Sequence, residues 1–127
     1  MPRPDPLERD LVKCEDMRIH AERARSYLGD KSLEEFVTDD LTRDAVVRCV
    51  EVIGEAARLV SDDTRNLAPT IPWPLIVDMR HILAHDYGTV NLDKVHDVVS
   101  QHLPTLLEEL ATLIKTLEER TGWSDDA

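Results

Sequence analysis

The sequence contains few of the residues that build sheets and tight turns. Aromatic residues make up 4% of its 127 residues, and it has only 4 glycines. Leucine, alanine, glutamate and arginine are common instead, a mixture that favours helices over strands. No segment shows the apolar–polar alternation of a half-buried strand. The composition therefore predicts an all-α fold, and the length suits one domain with its own hydrophobic core.

Cysteines and long apolar runs are also scarce. Cys14 and Cys49 are the only cysteines and form no CxxC pair, which is against a zinc or redox motif. Both fall within helical patterns, so we expect buried free thiols in a reducing compartment. The amino-terminal residues are polar, and no apolar run reaches the length of a signal peptide or membrane span. These features predict a cytoplasmic protein without membrane contact.

Basic residues are outnumbered by acidic ones. The chain has 15 lysines and arginines against 26 aspartates and glutamates, which gives a formal net charge of −11. This balance is against broad binding to nucleic acids or anionic membranes. It leaves room for a local basic patch, and it would suit docking to a basic partner protein.

The spacing of apolar residues predicts an up-and-down bundle of four main helices and one short helix. We expect one helical domain over residues 1–120 and a flexible tail over residues 121–127. The first long helix is predicted to begin at Asp5, whose side chain can cap it, and to end at Gly29.

Local signals mark the other boundaries. Ser32, three residues before Glu35, predicts a capping box at the start of the short helix. Residues 61–74 contain polar residues and three prolines, and they are predicted to be the longest irregular connection. The last helix is expected to begin within residues 91–93, and Pro104 should kink or divide it.

The stretch MRHILAHDYG, residues 79–88, combines a buried-helix pattern with many titratable side chains. Ile76, Met79 and Leu83 spread over a wide arc of this fourth helix. A helix that is apolar over most of its surface should be covered by a second chain as well as by its own bundle. We therefore expect a homodimer, with the polar side chains along a seam between the subunits.

The polar residues of this stretch also have ordinary structural explanations. Arg80 could form an ion pair with Glu55 or Asp78. His81 and His85 are spaced as a possible metal pair, but two ligands without a nearby third are a weak metal signal. We therefore expect neither a metal nor another cofactor.

An arginine and a histidine beside one phosphodiester could cleave RNA without a metal. A histidine with a near-neutral pKa can take the 2′-hydroxyl proton or protonate the leaving 5′-oxygen. The arginine fork can bind phosphate oxygens and stabilise charge in the transition state. Arg80 and His85 lie about 140° apart on an ideal helix. They would therefore converge across a two-fold axis, or within one chain if the helix unwinds near Gly88.

The sequence Arg80-x4-His85-x-Tyr87 resembles the RX4HXY signature of the HepT branch of the HEPN superfamily. Three longer segments resemble successive blocks of the same family: EEFVTDDLTRDAVVRCVEVIGEAA, IPWPLIVDMRHILAHDYGTVNLDKVHDVV and LPTLLEEL. Together they cover most of residues 34–110. The short signature alone is weakly specific, whereas its combination with these blocks is strong. The resemblance implies a HEPN-like helical bundle.

The resemblance also implies a function, a toxin of a type II toxin–antitoxin pair whose antitoxin is a minimal nucleotidyltransferase of the MntA type. It implies a metal-independent ribonuclease that acts as a homodimer, with tRNA as a reported class of target. Arg80 and His85 would be the catalytic pair. The partner would attach AMP to Tyr87, and the added charge and bulk would block the cleft. The ordinary alternative for Tyr87 is a packed aromatic at a helix end.

Three further residues are candidates for supporting roles. His81 departs from the family pattern, which often has Asn or another polar residue there, and it could assist Arg80 or His85. Glu55 lies among small residues on the third helix and could orient either of them by a charge-assisted hydrogen bond. Otherwise Glu55 is a solvated surface residue. Asp78 belongs to the same polar stripe as the two histidines.

An RNA-cleaving dimer needs a positive cleft, which a net charge of −11 does not supply by itself. The candidate basic residues are Arg23, Arg25, Arg43, Arg48, Arg58 and Arg80. The alternative function is a non-catalytic HEPN module that holds nucleotide or substrate for a nucleotidyltransferase, or that docks to a partner protein. The acidic balance fits this alternative better than it fits RNA binding.

Overall fold

The computed structural model describes residues 5–79, 83 and 90–122, and every regular element within these ranges is helical. The predicted all-α fold is therefore confirmed. Three long helices form the main body: α1 (Pro6–Leu28), α3 (Asp40–Arg58) and α7 (Leu103–Thr121). Helix α1 packs against both of the others. No helix in the described ranges is long and apolar enough to cross a membrane.

The buried face of α1 follows the predicted spacing. Leu11, Cys14, Ala21, Ala24 and Leu28 are all buried in the core. Both cysteines are buried free thiols, as expected. The helix ends where the sequence predicted, at a glycine with a φ of 54° whose backbone N–H donates to the carbonyl of residue 25.

The short helix α2 (Leu33–Thr38) begins with the predicted capping box. Glu35 N–H donates to Ser32 Oγ over 3.2 Å, and Ser32 N–H donates to the Glu35 carboxylate over 3.0 Å. Phe36 is fully buried and anchors α2 to the core. Asp39 then caps α3 by accepting from Thr42 N–H.

The prediction of one long irregular connection over residues 61–74 is wrong. A further helix, α4 (Asp62–Leu67), lies within it. Ser61 caps this helix, and two aspartates in its first turn interact favourably with the helix dipole. The segment has these local start signals but no long apolar period, so its helix depends on tertiary contacts described below.

Helix α5 (Trp73–Val77) begins at the predicted position. Met79 and Leu83 are also helical, and together with Ile76 they are buried. Helix α5 packs against α3. The bundle of the same chain therefore already buries this part of the apolar arc. The predicted end of the helix at Gly88 lies outside the described residues.

The last helical segment is divided in the region where Pro104 predicted a kink. It begins with α6 (Leu92–Asp97), which Asn91 caps, continues as a π-helical turn (Val98–His102), and then becomes α7. Proline lacks the N–H that would continue an α-helical ladder, and its ring clashes with the preceding turn. The wider π-helical turn lies directly before this position and accommodates both effects. The prediction is confirmed.

Candidate functional site

The predicted motif lies mostly in the part of the chain that is not described. Arg80, His81, His85 and Tyr87 fall outside the described residues, and their roles remain predictions. The described residues instead show what holds the helix that leads into the motif. They also show the chain beyond it, from Val90 onward.

Glu55 lies on α3 with 49% of its side chain exposed. Its carboxylate accepts from Arg58 Nη2 over 2.6 Å, one turn further along the helix. It lines an open groove of about 410 Å³ between α1 and α3, together with Lys13 and Arg48. Its predicted role in orienting the motif arginine or histidine remains a prediction.

Asp78 directly follows α5 and is exposed. Its backbone N–H donates to the carbonyl of Pro74 over 3.0 Å. Asp78 therefore lies at the solvent side of the helix, two residues before the motif begins. Its supporting role is a prediction as well.

A buried carboxylate on α1 holds the connection that precedes α5. Asp10 is only 3% exposed. It accepts from Ser61 N–H over 3.1 Å and from the hydroxyls of Ser61 and Thr64 over 2.5 Å each. Because a buried carboxylate without partners is costly, these hydrogen bonds tie the start of α4 to α1.

Arg65 connects α4 to the elements on either side of it. Its Nη2 donates to the carbonyl of Ala57 over 3.0 Å, which satisfies a free carbonyl at the end of α3. Its guanidinium also lies 5.7 Å from the ring centroid of Trp73, the first residue of α5. Its Nε is buried without a hydrogen-bond partner.

Trp73 is itself fixed at its polar end. Its indole N–H donates to the carbonyl of Ala68 over 3.1 Å, and the residue is only 5% exposed. We call the set Asp10, Ser61, Thr64, Arg65 and Trp73 the α4 corner. This corner fixes the position from which α5, the helix that precedes the motif, starts.

The α4 corner is not apparent from the sequence. Asp10 and Arg65 are charged residues in helices that are otherwise ordinary, and their partners are far away in sequence or belong to another element. The only available signal was Ser61 followed by two aspartates, which is a typical helix start. The Ile-Pro-Trp segment was noted for its resemblance, and the structure shows why it is apolar: Ile71 and Trp73 are both buried.

The other end of the undescribed motif segment is anchored near α2. Val90 packs against the core, and Asn91 caps α6. His96 of α6 lies 2.9 Å from the carbonyl of Lys31 through Nε2, and its ring contacts Phe36 with centroids 5.9 Å apart. The chain therefore returns from the motif to the end of the bundle where α2 lies.

Most of the predicted basic candidates are neutralised by neighbouring acids. Arg43 pairs with Asp40 and Asp44, and the guanidiniums on the rest of α3 pair with glutamates three residues away. Within the described part of the chain, Arg23 and Arg25 have no carboxylate at ion-pair distance. They are therefore better candidates for contacting a phosphate backbone than the arginines of α3.

Neither cysteine is suited to nucleophilic chemistry. Burial and, to a smaller extent, the nearby carboxylates of Asp10 and Glu15 raise the pKa of the Cys14 thiol to about 12. Burial also raises the pKa of Cys49, although Arg23 and Arg48 oppose this. Both thiols are therefore protonated and inert at neutral pH. In the described ranges no three His, Cys, Asp or Glu residues are grouped to hold a metal ion.

The chain is similar to proteins that carry ribonuclease names. The profile of the ribonuclease HepT-like family matches residues 17–113. The probable ribonuclease HepT of Thermococcus cleftensis is 32% identical over 101 residues, which cover 80% of this chain and 92% of that protein.

Two further relatives carry provisional RNase names. One, from Caldanaerobacter subterraneus subsp. tengcongensis, is 32% identical over 114 residues, covering 90% of this chain and 95% of the relative. The other, from Methanocaldococcus jannaschii, is 34% identical over 92 residues, covering 72% and 76%. No solved structure is a significant match. The extent of these matches shows that the chain belongs to the ribonuclease HepT-like family, as its sequence blocks predicted.

Proposed function

We propose that this protein is a metal-independent RNA endonuclease and the toxin of a type II toxin–antitoxin pair. The observation that carries the proposal is the family match over residues 17–113, a range that includes the whole Arg80-x4-His85-x-Tyr87 sequence. The relatives with RNase names support the same chemistry. The α4 corner adds a physical argument, because it fixes the start of the helix that leads into this sequence.

The proposed chemistry needs only the side chains of the motif. His85 transfers a proton to or from the reacting oxygens, and Arg80 binds the phosphate and stabilises the charge that builds on it. No metal is required for this cleavage. The proposed substrate class is RNA, with tRNA as the first choice.

A homodimer would bring two copies of the motif together. Exposed apolar surface beside α5 supports this part of the proposal. Leu75 on α5 is 70% exposed and lines an open groove of about 460 Å³ between α5 and α7. A second copy could cover this surface and place the two motif helices side by side.

The proposed off-switch is AMP on Tyr87, added by a partner nucleotidyltransferase of the MntA type. Intact mass of the protein co-expressed with such a partner tests this part. We expect a gain of about 329 Da for each AMP, the mass of one nucleotide unit. An unmodified mass beside an active partner would reject it, and Tyr87→Phe is the matched control.

The toxin proposal is tested by expression in a bacterial host. Wild-type protein should arrest growth and degrade RNA, whereas Arg80→Ala and His85→Ala should do neither. Arg120→Ala and His20→Ala are matched controls, since Arg120 is exposed on α7, His20 is partly exposed on α1, and neither lines the groove between α5 and α7. Arrest by the motif variants at the wild-type level would reject the catalytic roles.

The second candidate function is a non-catalytic module that holds nucleotide or substrate, or that docks to a protein. The net charge of −11 favours it. Purified protein, freed of any partner, separates the two when it is incubated with total tRNA. Cleavage that depends on His85 supports the enzyme, and intact tRNA at high protein concentration supports the module.

A further inference from the structure

The largest concentration of exposed apolar side chains in the described ranges lies around α2. Leu33 and Val37 are each 36% exposed, and Leu41 is 82% exposed, the highest value for a large apolar residue there. A single exposed apolar side chain is ordinary, whereas several close together mark a contact surface. We call these three residues, with the carboxylates around them, the acidic–apolar patch.

Helical geometry places the first two of these residues on one face. Leu33 and Val37 are four residues apart on α2, so their side chains are neighbours. Phe36 points into the core from the same helix. Leu33 and Val37 therefore flank Phe36 at the edge of the packed face of α2, whereas Glu34 and Thr38 are exposed on the opposite side of the helix.

Leu41 lies just beyond α2, in the first turn of α3, four residues after Val37. The two helices are held together here, because Arg43 Nη1 donates to the carbonyl of Val37 over 3.0 Å. Helix α2 also packs against α3. The three apolar residues thus lie within nine residues of one another, on two helices that are in contact.

The surroundings of this corner are strongly acidic. Residues 30–44 contain six carboxylates and two cations, which gives a net charge of −4. Arg43 pairs with Asp40 over 2.9 Å and with Asp44 over 3.8 Å, yet these two carboxylates remain 82% and 80% exposed. Glu34 is exposed on the first turn of α2. The carboxylates are thus available to an external cation.

The negative charge of this corner indicates which kind of molecule can bind there. RNA carries one negative charge per phosphate and would be repelled. A second copy of the same chain would bring a charge of −4 against another of −4 across a two-fold axis, which is unfavourable as well. A protein segment with apolar side chains beside lysines or arginines would complement both features of the patch.

We propose that the acidic–apolar patch is a docking site for a basic amphipathic helix of a partner protein. The apolar face of such a helix packs on Leu33, Val37 and Leu41, and its cations lie against the surrounding carboxylates. The site lies beside the chain that returns from the motif, since Phe36 on the inner side of α2 contacts His96 of α6. This proposal does not depend on RNA cleavage.

The test uses a synthetic probe peptide of leucine and lysine, about 14 residues long and apolar on one helical face. Binding to the full-length protein is followed by fluorescence anisotropy. Leu41→Ser should lower the affinity for the peptide roughly tenfold, because the variant loses a central apolar contact. Val12→Ser is the matched control, since Val12 is 56% exposed on α1, outside the patch, and it should leave the affinity unchanged.

Charge is tested separately with Glu34→Gln, which removes one exposed carboxylate. This variant should lower the affinity for the peptide about twofold to fivefold at low salt, and by a smaller factor at high salt. A peptide with glutamates in place of lysines should not bind. Circular dichroism of each variant checks that the helices are retained.

Three results would overturn the proposal. One is equal loss of peptide affinity in Leu41→Ser and Val12→Ser, which would indicate nonspecific adhesion. A second is peptide binding that depends on lysines but not on any patch residue. The third is a wild-type dimer in light scattering that Leu41→Ser dissociates, which would assign the patch to a second copy. None of these results bears on the ribonuclease proposal, which RNA cleavage tests independently.

Discussion

Two corners of this small bundle are stabilised in different ways, one by hydrogen bonds at the surface and the other by buried hydrogen bonds. At the corner between α1 and α3, α2 is held by caps that join residues three apart and lie at the surface, such as Ser32 with Glu35. At the α4 corner, Asp10 reaches partners 51 and 54 residues further along the chain and is buried with them. Buried polar contacts leave unsatisfied groups when they are broken, whereas surface caps are replaced by water. The α4 corner should therefore be the more sensitive of the two.

The largest loss of stability is expected for Asp10→Ala. Removal of the carboxylate leaves the Ser61 and Thr64 donors without their partner inside the protein. We expect a loss of about 3 kcal/mol in the free energy of unfolding, measured by urea denaturation. Asp16→Ala on the same helix is the control, because Asp16 is 40% exposed and lies 4.0 Å from Lys13, so it should change little. Similar losses for the two variants would remove the distinction between the corners.

A smaller loss is expected for Arg65→Met. The substitution keeps the apolar stem but removes the hydrogen bond to the Ala57 carbonyl and the contact between charge and Trp73 ring. It also removes the unpaired Nε, which offsets part of the loss. We expect about 1–2 kcal/mol by thermal unfolding. An unchanged melting temperature would mean that the α4 corner holds α5 through Trp73 alone.

The corner at α2, whose caps lie at the surface, should lose less stability when one of its contacts is removed. Ser32→Ala removes one half of the capping box of α2, and we expect a loss of about 1 kcal/mol. Ser26→Ala, an exposed position within α1, is the control and should be neutral or slightly stabilising. A loss for Ser32→Ala that exceeds that for Asp10→Ala would reverse the comparison.

The smallest effect concerns pH. Hydrogen bonds from Ser32 hold the pKa of Glu35 below its ordinary value of 4.5, and hydrogen bonds from Thr42 lower the pKa of Asp39 in the same way. A lowered pKa in the folded state gives a stabilisation that is present above the ordinary value and is lost as the pH falls through the folded value. The wild type should therefore lose more stability than Glu35→Gln between pH 5 and pH 3 in urea titrations, since glutamine keeps the capping hydrogen bond without titrating. Parallel pH curves for the two proteins would contradict this.

The same contrast explains what the sequence could predict. The caps at Asp5 and Ser32, the start of the last helix within residues 91–93 and the effect of Pro104 were predicted correctly, because each depends on neighbouring residues. Helix α4 was missed because its stabilising partner, Asp10, is more than 50 residues away. The family resemblance pointed to the motif, but it gave no information about the α4 corner. The match itself begins at residue 17, beyond Asp10.

The sequence also did not show which arginines form ion pairs with neighbouring acids. Arg43, Arg48 and Arg58 were candidates for a positive cleft, and the structure pairs all three with acids one turn away or closer. Spacing alone allows such pairs but does not show which side-chain rotamers form them. For the same reason, Glu55 could not be assigned between a surface ion pair and a role in the motif.

The most direct test of the central claim is the single-turnover rate of tRNA cleavage by purified protein in EDTA. The proposed chemistry requires cleavage without a divalent metal and a fall of roughly 100-fold or more in His85→Ala, because proton transfer by a histidine contributes on this scale. The unfolding midpoint of His85→Ala should equal that of the wild type. A variant rate within twofold of the wild-type rate, or cleavage that EDTA abolishes, would contradict the account.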